Sequence, residues 1–209
     1  MTEALQCGLV LLAAGASTRM GRPKQLLEIG GVPLVRRAAL AALASSARPI
    51  VVVLGANAAL IRPQLADLFV LLVENPAWPE GMGSSLRCGM QAMLAAAPAL
   101  DGVIVALADQ PQFSGAIIEQ LRARQRETGK SIVASGTEQA GPPALFLRQH
   151  FPDLLACHGD TGARALLKAN ATSLTSLDLG DQPDLDTPAD YREFLKNKRP
   201  GQCPVSDPK

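Results

Sequence analysis

Residues 7–24 read CGLVLLAAGASTRMGRPK. The two halves of this stretch differ in character. Cys7–Ala13 is a short, unbroken apolar run, the pattern of a strand covered on both faces. The second half reads as a loop. Gly15 and Gly21 permit tight turns and a close approach of backbone to a ligand. Arg19, Arg22 and Lys24 make the loop cationic, and it contains no acid. Backbone N–H groups in such a loop can surround anionic oxygens. An arginine grips a phosphate with two donors, and a lysine adds a point charge. A solvated basic surface loop satisfies the composition equally well. Spacing excludes two familiar phosphate loops: Lys24 stands three residues after Gly21 with no Walker A pattern, and no G-x-G-x-x-G comes after the strand.

Working outward, short apolar runs rich in Val, Ile and Leu recur at Ile50–Leu54, 69–73, 103–107 and 131–134. Between them, 33–45, 58–67, 84–96 and Gly115–Thr128 carry helical periodicity. Pro33 suits a first helical turn, and Ser84 and Ser114 suit N-caps. The alternation predicts an α/β fold: a three-layer, doubly wound, mostly parallel sheet with crossover helices. Ligands of such sheets sit beyond the carboxyl ends of the strands. The loops that matter are therefore 14–24, 55–57, 74–83 and 108–113.

Composition narrows the function. The chain has 209 residues, nearly half of them apolar, and a formal net charge of +1. That balance gives no general attraction to nucleic acid. No apolar run reaches the roughly 18 residues of a membrane span. The N-terminal residues lack a basic start and include Glu3, so no signal peptide is expected. Cys7, Cys88, Cys157 and Cys203 are widely spaced without a metal-ligand pattern, as reduced thiols of a cytoplasmic protein would be. One domain over 1–197 is expected, with a polar, proline-rich, disordered tail at 198–209.

Two acids stand out. Asp109 comes just after the run 103–107, where a carboxylate faces the crevice. Asp186 lies just before a helix expected near Pro188. Paired acids from distant parts of the chain suit Mg²⁺, which takes one or two protein carboxylates and completes its shell with water and phosphate oxygens. Turn capping by Asp109 and helix capping by Asp186 or Thr187 are open alternatives. In 75–89, NPAWPEGMGSSLRCG, Gly81 and Gly83 would let a flat base approach the backbone before a helix N-terminus. Ser84 and Ser85 can donate or accept. A glycine loop with a serine cap and no ligand fits as well. Trp78 reads as a structural anchor, Pro142 and Pro143 as the stiffeners of a loop, Arg164 as a group able to meet an anion, and His150 and His158 as surface residues.

The loop resembles the signature of the MobA-like nucleotidyltransferases, L-A-[AG]-G-x-S-x-R-M-G-x-x-K, with Gly15, Ser17, Arg19, Met20, Gly21 and Lys24 in place. LADQP at 107–111, GPPALF at 141–146, GDTGARALL at 159–167 and DLDTPADY at 184–191 come in the family's order. The resemblance is closest to the molybdenum cofactor cytidylyltransferase branch and implies a Rossmann-like fold of the nucleotide-diphospho-sugar transferase type. It implies Mg²⁺-dependent transfer of CMP from CTP to molybdopterin carrying molybdenum, for a molybdoenzyme or its chaperone. By resemblance Arg19 holds the β- and γ-phosphates, Lys24 acts at the α-phosphate, and Asp109 and Asp186 hold the metal, with Asp184 disfavoured by its place in the motif. Leu12, Ala13, Ala14, Gly15, Gly81, Met82 and Ser85 would hold the nucleotide. Ala14, where guanylyl-transferring relatives have glycine, favours cytosine. The sequence departs from some cytidylyltransferases at Gly141, where they carry histidine, which leaves the acceptor open. GTP-dependent transfer to molybdopterin, transfer to a sugar or polyol phosphate, and a non-catalytic nucleotide- or cofactor-binding adaptor for a molybdoenzyme are the alternatives.

Overall fold

The computed structural model describes residues 5–136, 139–160, 162–180 and 185–197. The expected disordered tail and Asp184 lie outside the described residues.

In chain order the strands are β1 (Cys7–Ala13), β2 (Glu28–Ile29), β3 (Val32–Pro33), β4 (Ile50–Leu54), β5 (Leu71–Glu74), β6 (Gly102–Leu107), β7 (Ile132–Ser135), β8 (Gly141–Leu147) and β9 (Leu174–Leu177). The helices are α1 (Leu34–Leu43), α2 (Ala58–Ile61), α3 (Met82–Ala96), α4 (Gly115–Thr128), α5 (Phe151–Leu155), α6 (Ala163–Ala169) and α7 (Pro188–Asn197). Seven strands form one sheet in the order β5-β4-β1-β6-β8-β7-β9. β8 runs against both its neighbours, and the other pairings are parallel.

The three layers arise from the pleat of β1. Successive strand residues face opposite sides. Leu9, Leu11 and Ala13 join one core cluster with Val35, Ala38 and Ala42 of α1 and Ile118 and Leu121 of α4. Val10 and Leu12 join another with Leu86, Met90 and Met93 of α3 and Leu154 of α5. Every residue of β1 is buried, as its continuous apolar pattern requires.

Several expectations are corrected. The edge strand is Leu71–Glu74, and Phe69, placed in it by hydrophobicity, is 91% exposed beyond its start. Pro142 and Pro143 belong to β8 rather than to a loop. They fit because the pairing of β8 with β6 reaches only Ala144 and its register with β7 shifts at this point. β9, half polar in LTSL, and the β2–β3 hairpin do not show in the hydrophobic pattern. Gly30 and Gly31, both at positive φ, make the hairpin's two-residue turn. His150 is buried, not superficial: its ring shares a hydrogen bond with Ser131 Oγ and meets Phe146 edge-on. His158 is exposed. Cys7, Cys88 and Cys157 are free thiols. No helix among the described residues is long and apolar enough to cross a membrane.

Candidate active site

β1 ends in the cationic loop, and β6 ends beside it at Leu107, just before Asp109. Both ends face a cleft of about 390 Å³. The loop's shape is set by polar side chains more than by its glycines. Ser17 is the one non-glycine residue among those described with a positive φ, 58°, a conformation that the surroundings must enforce. Its hydroxyl accepts from the Lys24 backbone N–H at 2.9 Å and donates to Gln25 Oε1 at 3.2 Å. Gln25 is buried, and its Nε2 donates to the carbonyls of Ala13 and Gly15 at 3.2 and 2.8 Å. One amide side chain thus closes the loop onto the strand that launches it.

The charged groups converge. Lys24 Nζ lies 2.9 Å from Asp109 Oδ2 and 2.7 Å from Asp186 Oδ1, and Arg19 reaches Asp186 Oδ2 at 2.7 Å. The Lys24 side chain is only 16% exposed, whereas that of Arg19 is 72% exposed. Burial works to lower the Lys24 pKa, but Asp109 and Asp186 outweigh it and the ammonium is held above its ordinary value. The hydrogen bond from Lys24 holds the Asp186 carboxyl below its ordinary value against a smaller burial effect, with Arg19 adding to the lowering.

Capping does not occupy the Asp186 side chain. At the start of α7, Thr187 Oγ1 accepts from the Asp190 N–H, and Asp190 Oδ2 accepts from the N–H groups of Thr187 and Asp186. This reciprocal box caps the helix and releases the Asp186 carboxylate to the cleft. Leu185, buried with Met20, Leu27, Ile29 and Leu34, pins that segment beneath the loop.

The wall formed by α3 differs from expectation. The helix starts at Met82, with Gly81 in the cap position, not at Ser84. The Ser84 hydroxyl turns back to donate to the carbonyls of Ala77 and Gly81. Asn75 Nδ2 donates to both Ser84 Oγ and Ser85 Oγ, at 2.9 and 3.0 Å. The space spared by the two glycines is filled by the chain itself. A Cβ on Gly83 would stand 2.6–2.7 Å from the His158 backbone, and one on Gly81 would stand 2.5 Å from Asp160 Oδ1. The Gly83 N–H donates to Gly159 O at 2.8 Å, so this helix N-terminus is partly spent within the fold.

Leu12, Ala14, Gly15, Arg19, Lys24 and Asp109 line the cleft, as do Gly81, Met82, Ser85 and Asp186. Ala13 does not. It faces the core of the other layer, as the pleat dictates, and only its carbonyl takes part, through Gln25. Arg164 is exposed on α6 and is not part of the cleft lining. Trp78 both lines the cleft and packs against the core. Sequence reasoning misses Gln25, Asn75, Asp160 and Asp190. Gln25 stands directly after Lys24, and a polar residue opening the otherwise apolar QLLEI is the available signal. Asp160 lies within GDTGARALL at 159–167, but the motif gives it no role, since its neighbour Gly81 lies far away along the chain.

Residues 9–174 match the model of the MobA-like NTP transferase domain. The chain belongs to that family. Nicotine blue oxidoreductase of Paenarthrobacter nicotinovorans is 34% identical, covering 85% of this chain and 91% of its own. Purine catabolism protein PucB of Bacillus subtilis (strain 168) is 32% identical, covering 87% and 92%. Among solved structures, Rv0371C of Mycobacterium tuberculosis H37Rv in complex with manganese superposes with a TM-score of 0.73 at 28% identity, covering 92% of this chain and all of that one. The architecture is that of the nucleotide-diphospho-sugar transferases, and the family supports an enzyme of the nucleotidyltransferase type.

Proposed function

We propose that this chain transfers CMP from CTP to molybdopterin carrying molybdenum. An acceptor phosphate oxygen would bond to the α-phosphorus, and the bond from that phosphorus to pyrophosphate would break, pyrophosphate leaving with the electron pair. The observation that carries the reading is Lys24, held between Asp109 and Asp186 at the mouth of a cationic, rigidly braced loop. The choice of CTP rests on Ala14, and the acceptor rests on the family resemblance.

The donor set fits a hard divalent cation. Asp109 and Asp186 both reach one ammonium, at 2.9 and 2.7 Å, so the two carboxylates face a common point. Among the described residues no thiol or imidazole lines the cleft. No group of three or more His, Cys, Asp and Glu side chains among them is placed to hold a metal; Mg²⁺ takes only one or two protein carboxylates and completes its shell with water and phosphate oxygens. When bound, the metal offsets charge on the triphosphate and on the departing pyrophosphate. The manganese complex of the Rv0371C relative supports a divalent cation here.

The remaining roles belong to the chain's own residues. Without ligand, the two cations neutralise the two acids. A triphosphate offers both cations stronger partners. Arg19, exposed at the surface, turns from Asp186 to the β- and γ-phosphates, and Lys24 moves to the charge developing at the α-phosphate. Asp109 and Asp186 are freed together. Gln25 and Ser17 keep the loop's N–H groups in place throughout. A phosphate oxygen is already anionic near neutral pH, so no general base is required. The acceleration comes from positioning and electrostatics.

One relative is named an oxidoreductase, which raises a second reading: the same cleft binds a redox cofactor. One calorimetric panel separates the two: CTP, GTP, ATP, UTP and NADPH, each with and without Mg²⁺. CTP is expected to bind best, about tenfold or more tighter with Mg²⁺, because cation and triphosphate together release the ion pairs. NADPH binding better than every triphosphate would sink the transferase reading.

A further inference from the structure

Asp109 and Asp186 are matched by Lys24 and Arg19, but the cleft holds a third carboxylate. Asp160 lines it on the side of α3. It has no hydrogen-bond or ion-pair partner among the described residues, and no cation among those residues lines its side of the cleft.

Its position is nonetheless built. The segment 157–160 is fastened across the start of α3. Gly159 O accepts from the Gly83 N–H at 2.8 Å, and Cys157 O accepts from Arg87 Nη1 at 3.0 Å. Arg87 Nη1 also meets His158 Nδ1 at 3.1 Å. The backbone at His158 lies so close to α3 that only glycine fits at position 83, and Gly81 leaves room for the Asp160 carboxylate itself. These three contacts and two glycines hold in place an acid whose one service to the fold is its charge beside the N-terminus of α3.

We propose that Asp160 recognises an amino-substituted nitrogen heterocycle by accepting its N–H groups. The inference rests on the nucleotide-binding reading above. A carboxylate only accepts hydrogen bonds. It repels phosphate, and a metal would find its acids at the other end of the cleft, beside Lys24. What a carboxylate recognises at the edge of a flat ring is an exocyclic amino group, as acids do with the N4 amino of cytosine. It also rejects a ring carrying a carbonyl there, since two sets of lone pairs would face each other. Two ligands of the proposed reaction present such an edge: the nucleobase, and the pterin of the acceptor, whose 2-amino group and neighbouring ring N–H offer two donors.

The test uses the full chain with Asp160→Asn and Asp160→Ala. Asp160 is exposed and has no partner among the described residues, so both variants should fold and lose at most about 1 kcal/mol, the worth of a charge at a helix N-terminus. CTP and UTP differ at the ring only in the amino group or carbonyl at position 4. Each is titrated with Mg²⁺ into all three proteins, and 2-amino-4-oxopteridine is titrated separately. If the base is the source, the wild type prefers CTP over UTP by about tenfold or more. Asp160→Ala then brings the ratio close to one, and Asp160→Asn, which can also donate, moves it further towards UTP. If the acceptor is the source, the CTP to UTP ratio is unmoved and pteridine binding falls about tenfold or more in both variants. Unchanged base ratio and unchanged pteridine binding would overturn the assignment. A wild type that binds no triphosphate at all is a separate failure, that of the transferase reading itself.

Discussion

At one end of the cleft Lys24 and Arg19 are drawn onto Asp109 and Asp186. At the other, Asp160 is placed by contacts between 157–160 and the start of α3 rather than by a charged partner among the described residues. The first end is held by charge, and charge can be exchanged: a ligand that brings anions and a cation together replaces every ion pair it breaks. The second is held by shape, and no ligand can substitute for a backbone that approaches another within van der Waals contact. On the proposed reading, the first end is the one that reacts and the second the one that recognises. Reacting groups must change partners during turnover, while a recognising group must be in place before the ligand arrives.

The sharpest way to break the charged end is Asp109→Asn. Asparagine keeps the volume and leaves Lys24 its bond to Asp186, so the fold should persist. The pair of anionic donors is halved, and pyrophosphate release should fall about a hundredfold or more, the scale of removing one preorganised charged contact. A folded Asp109→Asn protein that releases pyrophosphate at the wild-type rate would remove the metal role from this acid.

The shaped end breaks through the backbone. In Gly83→Ala the new methyl group meets the His158 main chain at 2.6–2.7 Å, and a main chain cannot rotate away as a side chain can. Such overpacking costs about 1–3 kcal/mol. Alanine's better helix propensity returns about 1 kcal/mol. Net destabilisation is expected, read as a lower denaturant midpoint, with a matching loss of any selectivity that depends on Asp160. A midpoint equal to the wild type would mean that 157–160 is not fastened to α3 as described.

The two ends also differ in what the sequence discloses. Arg19, Lys24, Asp109 and Asp186 are legible because each sits at a recognisable place, a loop after an apolar run or the step before a helix. The order of sheet and helices is legible for a related reason, since strands buried on both faces leave unbroken apolar runs. β8 is not, because two prolines in a row argue against a strand unless the pairing around them is known. β9 fails on composition, as a strand at the sheet's edge with half-polar residues. The place of Asp160 in the cleft and the purpose of Gly81 and Gly83 are not legible, although GDTGARALL marks the segment. The glycines read as room for a ligand, and only the fold shows that 157–160 occupies that room. The Ala13 side chain lies one residue of pleat from Leu12 and so faces the opposite layer.

The smallest effect sharpens the charged end by its pH dependence. The Lys24 hydrogen bond holds the Asp186 carboxyl below its ordinary value. Its stabilisation is therefore complete above the usual carboxylate range and is lost as pH falls through the lowered folded-state value. Lys24 is held above its ordinary value despite its burial. Its contribution is complete below the usual lysine range and is lost only as pH rises through the raised value. Between about pH 5 and pH 9 neither group changes charge in either state. The difference in melting temperature between the wild type and Lys24→Met should therefore be flat across that window and shrink below about pH 4. The plateau will be modest, because Arg19 is open to solvent, Asp186 is partly so, and both are screened. A difference that instead shifts between about pH 6 and pH 8 would place a histidine in the network. The geometry excludes that: His150 is buried against Ser131 and Phe146, and His158 faces Arg87.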